Sequence, residues 1–162
     1  MREQATWVLH NLGRGDVQMI AEEMSAQDVR QVIDAPGMVF GSDSSVHYAG
    51  TGRPHPRGAG TFPRVFAQYV RGDKVLTLED AVHRATGLAA EIFALPERGQ
   101  VREGFWADLV VFDPQRIADC ATFEDPWKAP AGISAVIVNG SVEARDGKVT
   151  GAMAGRPVRK RD

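Results

Sequence analysis

The chain has 162 residues, 43% apolar and 25% charged, with a net charge of −2. This is the composition of a soluble globular protein of one ordinary domain or two small lobes. The near-neutral balance excludes a global field aimed at nucleic acid or an anionic membrane; no apolar run is long enough to span a bilayer, and the N-terminus lacks a signal-peptide layout.

In chain order, Met1-Arg2-Glu3-Gln4 reads as a helix surface as much as a chain start. Ala5–Asn11 is a short apolar run, broken at Gly13-Arg14-Gly15. Val17–Ile20 is the next apolar run and is expected to be a strand. Ser25 can cap a helix, with Asp28 at the capping-box position. That helix carries Val29, Val32 and Ile33 and stops before Pro36. Gly37–Gly41 reads as a buried strand. Strand, helix and strand in this order predict a βαβ unit with a parallel sheet.

A loop rich in Gly and Pro follows. Phe62–Val70 is then expected to be helical, with Phe62, Val65, Phe66 and Tyr69 on one face and Pro63 in the first turn. Thr77 and Asp80 form a second capping box, opening a helix that stops at Gly87. Leu88–Phe93 is a further short helix ending near Pro96. Beyond that point turns and short strands dominate: Asp108–Pro114, Ile133–Val138, the hairpin turn Asn139-Gly140, and a return over Ser141–Arg145. Asp146-Gly147 marks another turn. Residues 1–95 therefore read as α/β and residues 96–162 as mostly β. The segment Arg156–Arg161, with three Arg and one Lys, reads as a solvated tail.

Functional residues of parallel α/β folds collect at the C-terminal ends of strands. Asp43 lies two residues past the expected strand. A carboxylate there suits a metal ligand or a general base toward metal-bound water; equally, Ser42–Ser45 suits a plain turn with Asp43 capping the backbone. Arg57 sits between Pro56 and Gly58, a context that suits a fixed guanidinium gripping a carboxylate; the alternative is a solvated loop arginine. His47 and His55 match no standard zinc spacing. His10 has no site context, and His83 is expected on a helix surface. The one cysteine, Cys120, cannot form an internal disulfide, which fits a reducing cytoplasm, and nothing near it suggests a metal or nucleophile role.

Several segments together carry a family resemblance. They are Val39-Phe40-Gly41-Ser42-Asp43; His55-Pro56-Arg57 leading to Gly60-Thr61-Phe62-Pro63-Arg64; Leu78–Val82 with Thr86-Gly87; Arg98–Asp113; Ala121–Pro126; and Val136–Gly140. From about Val17 onward the chain resembles the C-terminal third of the D-aminoacylase group (N-acyl-D-amino-acid deacylases) of the amidohydrolase superfamily. The Gly99–Asp113 stretch is common to many amidohydrolases, whereas the H-P-R…G-T-F-P-R run is much more specific to the deacylases.

The resemblance implies the C-terminal portion of a metal-dependent (β/α)8 barrel, residues 1–95, followed by part of a small β-sandwich, residues 96–162. It implies a zinc-dependent hydrolase of N-acyl-D-amino acids. Asp43 would be the catalytic carboxylate, and Arg57 would hold the substrate α-carboxylate, with His55 and Ser42 also substrate-binding. Ser44 stands where the family usually has Gly, and the loop Val46–Pro54 is slightly longer. Arg53 is therefore the alternative to Arg57, which is preferred for its His-Pro-Arg context.

The family's zinc ligands, an early H-x-H, a cysteine and two later histidines, have no counterpart here, and Cys120 does not match the ligand cysteine. The expectation is thus a fragment, a truncated reading frame or one piece of a split protein, inactive by itself. Two other readings stand beside it. One is a non-catalytic remnant that self-associates or pairs with an N-terminal partner through open strand edges. The other is a cyclic-amide hydrolase of the hydantoinase or dihydroorotase kind, which the H-P-R run disfavours.

Overall fold

Side-chain capping sets the start of two of the described helices. The computed structural model describes residues 2–13, 24–48 and 50–159. The expected strand over 17–20 and the end of the basic tail lie outside these residues. Helix α1 spans Arg2–Leu12. Helix α2 spans Ala26–Asp34 and opens on the expected capping box: Ser25 Oγ accepts from the Asp28 N–H at 3.1 Å, and the Asp28 carboxylate accepts from the Ser25 N–H at 3.2 Å. Val29 and Ile33 turn inward while Val32 stays exposed.

The predicted strand at Gly37–Gly41 is not formed, and with it goes the parallel βαβ unit. A strand is made by its neighbours, and no described segment pairs with this one. Phe40 nonetheless packs against the core.

The next helix begins earlier than expected. Helix α3 spans Arg57–Arg64 and runs directly into a π-helical continuation, Val65–Gly72. Pro63 is therefore inside the helix, not in its first turn. It has no N–H to donate to the preceding turn, and the chain widens into the π form just after it. Val65, Phe66 and Tyr69 are buried as expected, but Phe62 lies on the exposed side.

Helix α4 spans Leu78–Ala85, and its Thr77 Oγ1 accepts from the Asp80 N–H at 3.1 Å. The Asp80 carboxylate turns to Arg84, at 2.8 Å, instead of closing the box. Arg84 is only 8% exposed. Its Nη1 also donates to the carbonyls of Ile33 and Ala35, at 2.8 and 2.9 Å. Helix ends leave such carbonyls without partners, so Arg84 closes the C-terminus of α2 from another helix. Helix α5 spans Gly87–Ile92.

The strands follow: β1 Leu109–Phe112, β2 Ile133–Val138, β3 Ser141–Arg145 and β4 Lys148–Val149, an antiparallel sheet in the order β1-β2-β3-β4. Both predicted turns appear. Asn139 and Gly140 have φ of +48° and +81°, and Asp146 and Gly147 have +48° and +77°. Two successive residues in the left-handed region are what a type I′ hairpin requires. Asp108, just before β1, accepts from the Asn139 N–H at 2.7 Å and pairs with Arg98. Arg98 lies over the Trp106 ring at 5.4 Å.

Helices and sheet share one core. Val65, Phe66, Leu76, Ala81 and Ile117 are buried together, and the Phe66 and Phe112 rings lie 5.0 Å apart. That core is small for the chain. The accessible surface is 12,126 Å², about 1.5 times the ~7,900 Å² expected of a folded monomer of this mass. Trp7, Leu9, Tyr48 and Val101 are among the exposed apolar side chains. No described helix is long and apolar enough to cross a membrane.

Candidate active site

The segment after Gly41 is irregular because Asp43 adopts φ +48°, which a short polar side chain tolerates better than a branched one. Its side chain is 87% exposed and its Oδ2 lies 3.0 Å from Nη2 of Arg57, itself 43% exposed. Two of the predicted site residues are thus in contact. The remaining guanidinium N–H groups suffice for a second carboxylate.

Two glycines allow this approach. A Cβ at Gly58 would lie 2.8 Å from Ser44 Oγ, and one at Gly60 would lie 3.3 Å from the Asp119 Cβ. The first contact brings the Asp43 loop against α3; the second seats the 119–124 loop on the same helix. Arg64 reinforces the second contact, with its Nε 2.7 Å from Asp119 Oδ2.

His55 is placed by two contacts. Its Nδ1 accepts from the Arg57 backbone N–H at 3.0 Å, and its ring meets Phe123 edge to face at 5.0 Å. An accepting Nδ1 carries no proton, so the neutral ring bears its hydrogen on Nε2. Burial, then the charges of Arg57 and Arg64, hold the imidazole pKa below its usual value. His55 therefore orders the backbone that carries Arg57.

These residues border a cavity of about 490 Å³ between α2, the 39–41 segment, α3 and the 119–124 loop. Arg57 and His55 line it; Asp43 stands just outside, joined through Arg57. Ser42 is half-buried and does not line the cavity, nor does Arg53. His47 packs edge to face against Trp127 at 6.5 Å. His10 and His83 are exposed on their helices. Cys120 is partly buried, and its sulfur lies 3.8 Å from the Ala118 carbonyl.

The Asp119–Arg64 pair and the triple contact of Arg84 were not visible in the sequence. Only the four-residue spacing of Asp80 and Arg84 hinted at the latter. Among the described residues, no group of three or more His, Cys, Asp or Glu side chains is placed to hold a metal.

Comparison with known proteins gives one consistent result. A family model described as the amidohydrolase family matches residues 4–143. A D-aminoacylase of Alcaligenes xylosoxydans xylosoxydans is 46% identical over 133 residues, which is 82% of this chain and 27% of that protein. An N-acyl-D-aspartate deacylase of the same organism is 44% identical over 129 residues, 80% of this chain and 25% of that protein. Among solved structures, a D-aminoacylase superposes with a TM-score of 0.79 at 47% identity, covering 85% of this chain and 28% of that one. An N-acyl-D-glutamate deacylase of Bordetella bronchiseptica, complexed with zinc and a phosphonate inhibitor, superposes with a TM-score of 0.69 at 42% identity, covering 78% and 27%. The chain spans about a quarter of the length of the curated relatives it matches.

Proposed function

The chain belongs to the amidohydrolase family, and from that premise we propose that it carries the C-terminal portion of a zinc-dependent N-acyl-D-amino-acid deacylase. Residues 1–95 would contribute the last βα units of a (β/α)8 barrel and residues 96–162 part of a β-sandwich. The observation that supports this best is the Asp43–Arg57 pair, at 3.0 Å, beside a cavity of ligand size.

In this reading Arg57 takes the α-carboxylate of the substrate, and Asp43 is the general base. Water attacks the amide carbonyl carbon as its proton passes to Asp43. The C–N bond then breaks and the same proton goes to the leaving nitrogen, giving a carboxylate and a D-amino acid. His55 keeps Arg57 in place through its backbone, and Ser42 borders Asp43. The zinc known from the Bordetella relative does not fit the described residues, which hold no ligand cluster. Its ligands would have to come from elsewhere.

The test is turnover of N-acetyl-D-amino acids by the protein expressed from its native locus with whatever reading frame lies upstream of Met1. Activity that is lost on Asp43→Asn supports the reading. Absence of turnover, or turnover indifferent to Asp43, refutes it.

The large exposed surface, 12,126 Å², favours a second reading, in which the chain is a non-catalytic partner that self-associates or pairs with an N-terminal portion. Light scattering that shows a monomer, with no binding of an apolar-patch dye, would exclude that role.

A further inference from the structure

We propose that Phe123 and His55 are positioning residues for Arg57: Phe123, from the chain between β1 and β2, holds the His55 ring, and the Nδ1 of that ring fixes the first residue of α3, from which the guanidinium projects. This rests on the reading of Arg57 as the carboxylate-binding group and adds what controls its placement.

Helix α3 opens at Pro56 without a side-chain cap from that residue. The first N–H groups of a helix have no partner inside it. The N–H of Arg57, the first residue of α3, finds one in His55 Nδ1, at 3.0 Å. The imidazole stands on a stiff mount. His55 lies between Pro54, which is buried, and Pro56. Proline fixes its own φ and narrows the backbone of the residue before it. The His55 carbonyl also accepts from the Gly58 N–H at 3.1 Å.

Phe123 is set from both sides. The Thr122 N–H donates to the Asp125 carbonyl at 3.1 Å, and the Asp125 N–H donates to Thr122 Oγ1 at 3.0 Å, so a closed turn carries the ring. Ala121 before this turn and Pro126 at its end are buried. Asp119 ties the same loop to α3 through Arg64. The Phe123 ring then meets His55 edge to face at 5.0 Å.

For Nδ1 to accept, the ring proton must sit on Nε2. The charged groups lining the cavity beside His55 are Arg57 and Arg64 on α3 and Asp119 and Glu124 on the loop; α2 and the 39–41 segment contribute none. Asp119 is paired with Arg64, and Asp43 with Arg57. A second proton, on Nδ1, removes the acceptor and adds positive charge beside two arginines and the positive end of a helix. Acidification below the ordinary imidazole value of 6.5 therefore releases the Arg57 backbone, once the lower folded pKa is passed, and weakens carboxylate binding. Direct contact between His55 and the substrate would have the opposite sign, because an imidazolium grips an anion more tightly.

The test is nitrogen NMR of the His55 ring together with calorimetric titration of the full chain with N-acetyl-D-leucine, from about pH 8 to about pH 5. The neutral ring is expected to carry its proton on Nε2, and affinity to fall about threefold or more as the ring protonates. His55→Phe keeps the ring contact and lacks the acceptor; it should bind about fivefold weaker at neutral pH and no longer respond to acid. His55→Asn, whose side-chain oxygen can accept from the N–H two residues on, should regain most of that loss, also without the acid response. Phe123→Ala should weaken binding about threefold and raise the His55 pKa toward 6.5, because the ring that shields the imidazole from water is gone. The tautomer is read on the unaltered chain, so that arm stands even where a variant fails to fold. A proton on Nδ1, tighter binding on acidification, or His55→Phe binding as the parent does overturns the positioning and leaves the role of Arg57 standing. Failure of N-acetyl-D-leucine to bind at any pH overturns both, while the Asp43→Asn turnover assay reads the deacylase assignment separately.

Discussion

Replacing Arg84 with methionine tests how the chain leading to Asp43 is anchored. Methionine keeps an unbranched apolar stem and removes the guanidinium. Lost are two charge-assisted hydrogen bonds, to the carbonyls of Ile33 and Ala35 at 2.8 and 2.9 Å, and the 2.8 Å pair with Asp80. A hydrogen bond to a charged group contributes roughly 1.5–3 kcal/mol, and an acceptor stranded away from water costs a further ~1–3 kcal/mol. The two carbonyls belong to half-buried residues, so water recovers part of that loss. The Asp80 side chain is 37% exposed and hydrates readily once released. The balance is a destabilisation of about 2–4 kcal/mol, a large share of the total for a small domain. Urea unfolding, followed by far-UV circular dichroism and tryptophan fluorescence, measures it. Asp80→Asn, which removes only the ion pair, should cost about 1 kcal/mol or less. An Arg84→Met variant within about 0.5 kcal/mol of the parent would show that the α2 carbonyls are satisfied by water and refute the clamp.

Gly132 offers a harsher test, because a Cβ there would lie 2.4 Å from the Ile117 nitrogen and 2.5 Å from the Arg116 carbonyl carbon, at a φ of +76°. Neither neighbour is a side chain that can swing aside, so Gly132→Ala should destabilise by about 3 kcal/mol or more in the same urea assay. Arg57→Ala should behave in the opposite way. Its pair with Asp43 is solvent-exposed, so unfolding stability should change by less than about 1 kcal/mol, while N-acetyl-D-leucine binding measured by calorimetry should be lost. His55 sets a pH dependence. Its folded pKa is depressed below 6.5, so the unfolded chain binds the proton first as pH falls. Stability should therefore be intact above pH 6.5 and decline below it, and His55→Phe, which keeps the Phe123 contact, should flatten that decline when urea midpoints are compared across pH.

Much of this protein is legible locally. Ser25 with Asp28, and Thr77 with the Asp80 N–H, act over three residues, and both helix starts came out where the capping chemistry put them. Asn139-Gly140 and Asp146-Gly147 can take two left-handed residues in succession, so the hairpins and the bounds of β2 and β3 follow from those dipeptides. The resemblance carried by the H-P-R…G-T-F-P-R run was equally readable and led to the family.

What the sequence could not decide depends on partners far along the chain. Whether Gly37–Gly41 is a strand is settled by whether another strand lies beside it, and none does among the described residues. Where α3 begins, and which face holds Phe62, follows from the packing of the 119–124 loop and the sheet on that helix. Arg64 finds Asp119 across 55 positions, and Arg84 finds the Ile33 carbonyl across 51. Side-chain type fixes what such a group is able to bind, but long-range ion pairs and the cavity they border exist only once the chain has folded. The sequence thus determined the family, the caps and the turns, because these depend on covalent neighbours. The tertiary structure alone decided that Asp43 meets Arg57 and that Arg57 and His55 border one cavity with the 119–124 loop, because both depend on separate segments being brought together in space.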